Sequence, residues 1–207
     1  MCINYLHHSY CPVHHLCHDF LASSAPFTID LILSLNLNVV LTISSAGRMV
    51  WKEEIDESYG EAIERWAESG RFNVNQIGDL GAQIASGTYP ALGMAVVPCS
   101  MATVGALASG LADNLIRRAA DVTLKEKRPL VIVPRETPLN AIHLKNLTEL
   151  AIAGATILPP QPAFYLRQKT TAEVVDYIAN RTVNALGLTD QLPSRMRYGN
   201  ESEENGY

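Results

Sequence analysis

Hydroxyl, amide-rich and charged positions follow each of four apolar runs in this sequence, and their types suit holding an anion and moving a proton. Ser44 and Ser45 come after "LNVVLTI" (37–43), and Cys99, Ser100, Met101, Ala102 and Thr103 come after "LGMAVVP" (92–98). Arg135, Glu136 and Thr137 follow "PLVIVP" (129–134), and "PPQPAFY", ending at Tyr165, closes "GATILP" (154–159). Hydroxyls and free N–H groups at a helix start suit phosphate. Plain N-capping accounts equally well for Ser100 and Thr103. Arg181 shares a helical spacing with Val174, Ile178 and Ala185, so it either snorkels or meets a buried anion. Arg118 and Lys125 are either surface charges or further cations for the same purpose. Hydroxyls, several cations, one or two carboxylates and a Tyr together suit a phosphorylated, planar cofactor and a second small phosphate.

The elements that must position these residues alternate along the chain. Runs apolar at every position read as strands covered on both faces, as in a parallel sheet. Between them lie "EAIERWAES" (61–69), "SMATVGALASGLADNLIRRAA" (100–120), "LNAIHLKNLTELAIAG" (139–154) and "TTAEVVDYIANRTVNALG" (170–187), all of helical character. The last opens with Thr170 and Glu173 at capping-box spacing and closes at Gly187. Strand and helix in alternation predict an α/β fold, a three-layer α/β/α sandwich with a mostly parallel sheet. In such sheets ligands sit beyond the carboxyl ends of the strands, where all four clusters fall. Residues 1–36 do not fit this scheme, because "MCINYLHHSYCPVHHLCHDF" has no apolar run long enough for a buried strand. We expect three parts: an atypical segment 1–36, poorly ordered over Met1–Phe20, a domain over 37–190, and a polar, frayed tail over 191–207.

Composition bounds the function. With 207 residues, 47% hydrophobic and 18% charged, the chain fits one globular domain with a full core. Its 16 basic and 21 acidic side chains give a net charge of −5, which argues against non-specific nucleic-acid binding. No apolar stretch approaches the ~20 residues of a membrane span, and no Lys or Arg marks the start as a targeting segment. The expected location is the cytoplasm. The four cysteines lack the spacing of a secreted disulfide framework, and Cys99 reads as a small buried hydrophobe.

Several segments resemble the flavin prenyltransferases, the UbiX-type family: "PCSMAT", "DNLIRRAADVTLKE", "VPRETPL" and "ILPPQPAFY", within a match from about Asn38 to about Leu188. The resemblance implies a Rossmann-like flavoprotein subunit of a homo-oligomer, by resemblance a dodecamer, with FMN sites at subunit contacts. It implies transfer of a dimethylallyl group from dimethylallyl phosphate to N5 and then C6 of reduced FMN, without a metal, for a partner decarboxylase. Carried over by motif, Ser44, the Ser100–Thr103 turn (Ser100, Met101, Ala102, Thr103) and Arg135 hold FMN. Arg118, Lys125, Tyr165 and Arg181 surround the prenyl phosphate, and Lys125 is also counted as catalytic. Glu136 matches the pocket carboxylate of "PRE", and Glu54 in "WKEE" matches a second.

One departure stands out. The family's first strand runs into a "G-x-S-G-A" loop that cradles the FMN phosphate, and here the nearest stretch is "LASSAPF" (21–27), without glycine. Glycines allow positive φ and close approach of backbone to phosphate, so their loss predicts weakened FMN binding. The cluster Cys11, His14, His15, Cys17 and His18 lacks the paired spacing of a zinc module. Two other readings stand beside the transferase. One is flavin-dependent decarboxylation of a cysteinyl peptide, whose catalytic His and Asn–Met loop are not found here. The other is a flavin-binding subunit without turnover.

Overall fold

Strand side chains alternate between two cores, and that alternation builds the layers. The computed structural model of the chain describes residues 2–3 and 24–198. In chain order it contains β1 (Cys2–Ile3), α1 (Ser24–Ser34), β2 (Val39–Leu41), α2 (Ser45–Glu54), α3 (Tyr59–Ala67) and β3 (Phe72–Val74). Then come β4 (Met94–Cys99), α4 (Met101–Ala108), α5 (Leu115–Lys125), β5 (Leu130–Pro134), α6 (Ala141–Ile152), β6 (Thr156–Ile157) and α7 (Thr171–Ala185). Met94, Val96, Leu130 and Ile132 face a core completed by Val104 of α4, Ile116 of α5 and Leu147 of α6. Ala95, Val97, Val131 and Val133 face the opposite core, with Ile29 of α1, Trp66 of α3 and Ile178 of α7. A period of two, with both faces covered, is why these strands read as unbroken apolar runs. The result is the expected three-layer α/β/α sandwich.

β2 pairs in parallel with β3, β4 with β5, and β5 with β6. β1 is different: it runs antiparallel to β4, with Cys2 opposite Val96 and Ile3 opposite Ala95. It lies beside β2 with no ladder to it among the described residues. The lateral order β3-β2-β1-β4-β5-β6 is that of a doubly wound sheet, with its switch point between β1 and β4.

Most expected helices form, with boundary changes that have local causes. On α7, Thr170 Oγ1 accepts from the Glu173 amide at 3.2 Å, and Glu173 Oε2 accepts from the Thr170 amide at 3.1 Å. Gly187 ends the helix at φ +75°. The single helical segment expected over 100–120 is instead two helices. Gly110, at φ +72°, breaks it, and the Asn114 side chain, accepting from the Arg117 amide at 3.1 Å, starts α5 anew.

The termini differ most from expectation. α1 falls inside the segment set apart as 1–36, and it is packed. Ala25, Ile29, Ile32 and Leu33 are buried at helical spacing. Cys2–Ile3 forms a strand where the sequence offers no apolar run. Met1 and residues 4–23 lie outside the described residues, and with them the expected poor order of Met1–Phe20 and the Cys11–His18 cluster. The tail is not frayed up to residue 198. Ser194–Met196 makes a 3-10 turn, Met196 is buried, and Arg195 donates to Asp176 Oδ2 at 2.7 Å.

Candidate flavin and prenyl phosphate site

The carboxyl ends of β4 and β5 bring two loops together. The Arg135 amide donates to the Cys99 carbonyl at 3.1 Å, within a register that pairs Cys99 with Pro134. Ser100 caps α4: its Oγ accepts from the Thr103 amide at 3.3 Å and its hydroxyl donates to Thr103 Oγ1 at 3.2 Å. The first backbone bond back to the cap comes from Val104, whose amide donates to the Ser100 carbonyl at 2.9 Å. The amides of Met101 and Ala102 precede that bond and point out of the helix start, where an anion is favoured. The Met101 side chain is buried and Ala102 is exposed. Nothing bulky on Ala102 obstructs approach to those amides. Arg135 is half-buried beside them, and Glu136, exposed, takes the Thr137 amide on Oε1 at 3.1 Å. The helix after this loop, expected from residue 139, starts at Ala141 with Asn140 as its cap.

β2 delivers a third hydroxyl to the same end of the sheet. Ser44 caps α2, its Oγ accepting from the Gly47 amide at 3.0 Å. Thr42 Oγ1 donates to the Asn75 carbonyl at 3.0 Å, tying the ends of β2 and β3. Ser44, the Ser100–Thr103 turn, Arg135 and Glu136 thus share the carboxyl edge of the sheet. Their donor set of hydroxyls, amides and one guanidinium fits a phosphorylated flavin.

The remaining predicted residues stand elsewhere. Glu54, half-buried, ends α2, roughly 15 Å from its capped start at 1.5 Å per residue. Arg118 and Lys125 lie on α5. Arg118 donates through Nε to the Ala85 carbonyl at 3.1 Å and through a terminal nitrogen to Asp121 at 2.9 Å. Lys125 pairs with its neighbour Glu126 and sits against Gly87, by the amino end of β4. Tyr165 and Arg181 belong to the other face of the sheet, with α7.

The stripe inferred for α7 needs correction. Ile178 is buried, but the core face runs through Val175, Ile178, Ala179, Thr182, Val183 and Leu186, leaving Arg181 exposed. At 3.6 residues per turn, Arg181 points well away from that face. Two tyrosines outside the expected set accompany Tyr165 and Arg181. Tyr177 lies one turn before Arg181 on α7. Burial raises the Tyr177 pKa, as does a side-chain hydrogen bond with Tyr165, while Arg181 opposes the shift. Tyr198 meets the Tyr165 ring edge-on, with centroids 5.8 Å apart. The i, i+4 spacing of Tyr177 and Arg181 was legible in the sequence. The approach of Tyr198 was not.

Among the described residues no group of His, Cys, Asp or Glu is placed to hold a metal ion, and no helix is long and apolar enough to cross a membrane. A doubly wound sandwich whose carboxyl edge gathers hydroxyls, helix-start amides and an Arg defines the class, and residues 22–184 match the Flavoprotein family. The flavin prenyltransferase UbiX of Halalkalibacterium halodurans is 40% identical over 198 residues, spanning 89% of this chain and 92% of its own. The solved structure of AnUbiX (PadA1) in complex with FMN and dimethylallyl pyrophosphate aligns with a TM-score of 0.82 at 36% identity, covering 92% of this chain and 97% of that one. A dodecameric FMN-dependent Ubix-like decarboxylase from Escherichia coli O157:H7 aligns with a TM-score of 0.77 at 33% identity, covering 84% and 93%. The chain belongs to the flavin prenyltransferase family.

Proposed function

We propose that this chain binds reduced FMN at the carboxyl edge of its sheet. There it transfers a dimethylallyl group from a dimethylallyl phosphate ester to N5 and C6 of the flavin. The product, prenylated FMN, serves a partner decarboxylase, and the setting is cytoplasmic. The observation that carries this reading is the capped start of α4 lying directly beside Arg135.

Ser44, Ser100, the Met101 and Ala102 amides, Thr103 and Arg135 hold the flavin, which supplies the nucleophilic ring when bound. Arg118, Lys125, Tyr165 and Arg181 hold the donor phosphate. Preorganised cations favour its departure as a more concentrated anion. Aromatic walls exclude water and offer π-faces to the allylic cation that develops. Glu136, fixed beside the Thr137 amide, is the base for the proton released at the ring carbon, and Glu54, at the far end of α2, is the second carboxylate carried over by motif.

Arg118 and Lys125 lie across the sheet from Tyr165 and Arg181 within one chain. These four can line one phosphate only where copies of the chain meet, so the active form is a homo-oligomer, of dodecameric size by analogy with the Escherichia coli protein above. The test is anaerobic incubation with reduced FMN and either dimethylallyl phosphate or dimethylallyl pyrophosphate, followed by mass analysis of the flavin. A flavin heavier by one dimethylallyl group supports the reading. Bound flavin left unalkylated with both donors overturns it.

A further inference from the structure

Asp176 sits immediately before Tyr177 on α7 and binds in two directions. Through Oδ1 it accepts from Asn180 Nδ2 at 2.9 Å, and through Oδ2 it accepts from Arg195 at 2.7 Å. Arg195 belongs to the 3-10 turn Ser194–Met196, which is fixed twice more. Met196 is 5% exposed, and Arg197 Nε donates to the Leu192 carbonyl at 2.6 Å. Just beyond this turn comes Tyr198, whose ring stands at 70° to that of Tyr165. Tyr198 is itself 88% exposed, so its own burial does not explain where the ring sits. The pinned turn does. Tyr165 therefore meets Tyr198, whose place is set by α7 through Asp176 and Arg195.

We infer that Asp176 and Arg195 are a positioning pair for the prenyl phosphate subsite, and that the turn they hold presents Tyr198 as an aromatic wall against Tyr165. The inference rests on the assignment of Tyr165 and Arg181 to that subsite. Arg195 is largely exposed, with 60% of its side chain accessible, and such pairs contribute little to global stability. Breaking this one loosens the wall and leaves the sandwich intact. A loose wall admits water beside the developing allylic cation and removes a π-face from it.

The test compares Asp176→Ala, Arg195→Ala, Arg195→Lys, Tyr198→Ala and Tyr198→Phe, with Tyr165→Phe as reference. The readouts are KM for dimethylallyl phosphate, kcat, FMN affinity and thermal midpoint. Asp176→Ala leaves Asn180 satisfied, because its Nδ2 also donates to the Asp176 carbonyl at 2.9 Å. We expect Asp176→Ala, Arg195→Ala and Tyr198→Ala each to raise KM roughly two- to fivefold, the scale of one exposed pair, with FMN affinity and midpoint unchanged. Arg195→Lys and Tyr198→Phe keep the charge and the ring, and stay near wild type. A KM that Asp176→Ala and Arg195→Ala leave unmoved overturns the inference, and so does a rise matched by equal loss of FMN affinity. If Tyr165→Phe alone moves KM, the subsite assignment stands without the positioning pair. If no variant moves it, both fall.

Discussion

Arg135 and Cys99 are joined by a 3.1 Å backbone hydrogen bond from the Arg135 amide to the Cys99 carbonyl. This bond sets the residue leaving β5 beside the residue that introduces the α4 cap. The two loops meet because the β4–β5 pairing, after an irregularity between Val96 and Cys99, resumes with Cys99 opposite Pro134.

Ser100→Ala should lower both folding stability and FMN affinity. Loss of an N-cap costs about 0.5–2 kcal/mol. Ser58 caps α3 in the same way, its Oγ accepting from the Glu61 amide at 3.3 Å, and is not one of the residues assigned to the flavin. Ser58→Ala should therefore lose comparable stability and keep its FMN affinity. Chemical denaturation and flavin titration separate the two. Equal FMN affinities would remove Ser100 from the flavin site.

Glu136→Gln should retain flavin and lose turnover. The amide is nearly isosteric but accepts no proton, and removal of a general base costs roughly 100- to 10,000-fold in rate. The check is single-turnover formation of alkylated flavin. A wild-type rate would leave Glu136 a structural role at the Thr137 amide and make Glu54 the candidate base.

Arg181→Ala and Tyr165→Phe should impair use of dimethylallyl phosphate more than binding of FMN. A hydrogen bond to a charged group is worth about 1.5–3 kcal/mol, which corresponds to roughly 10- to 150-fold in KM. Separate titrations of the two ligands decide it. Equal losses for both would erase this division between carboxyl edge and α7.

Cys99 offers a test by pH. Complete burial pushes its thiol up from an ordinary value of 9.0 to about 12. A thiol that holds its proton more tightly in the folded chain contributes stability that is full below pH ~9 and is lost as pH rises toward ~12. Unfolding free energy should fall across that window, and Cys99→Ala should flatten the fall. At pH 8 the folded chain should leave Cys99 unalkylated by iodoacetamide, as peptide mapping would show, while the denatured chain reacts.

Legibility followed burial. β4 and β5 could be read because both their faces are covered, and α7 because Thr170 and Glu173 form a cap by local chemistry alone. The break at Gly110 was hidden, since a Gly, Ala and Ser-rich run fits one helix as well as two. α1 was missed because its Ser and Pro start follows no recognisable strand. Its i, i+4, i+7, i+8 stripe of Ala25, Ile29, Ile32 and Leu33 was nonetheless present. Arg181 was placed on the wrong face because the stripe was counted from half-buried Val174 and not from buried Val175. For the site, the strand-end clusters could be read because strands of one direction bring their ends to one edge of the sheet. Spacing along one chain does not tell which residues end on opposite faces of the sheet, as Lys125 on α5 and Arg181 on α7 do here.

That placement of Lys125 and Arg181 has a genetic consequence. If both serve one phosphate, a Lys125→Ala chain and an Arg181→Ala chain are each defective, yet their defects lie in different halves of a shared pocket. Co-expressed in one cell, the two alleles would assemble together, and random mixing in equal amounts would make about a quarter of the pockets whole. Two broken genes would then restore each other, which no pair of substitutions confined to a single chain's pocket could do.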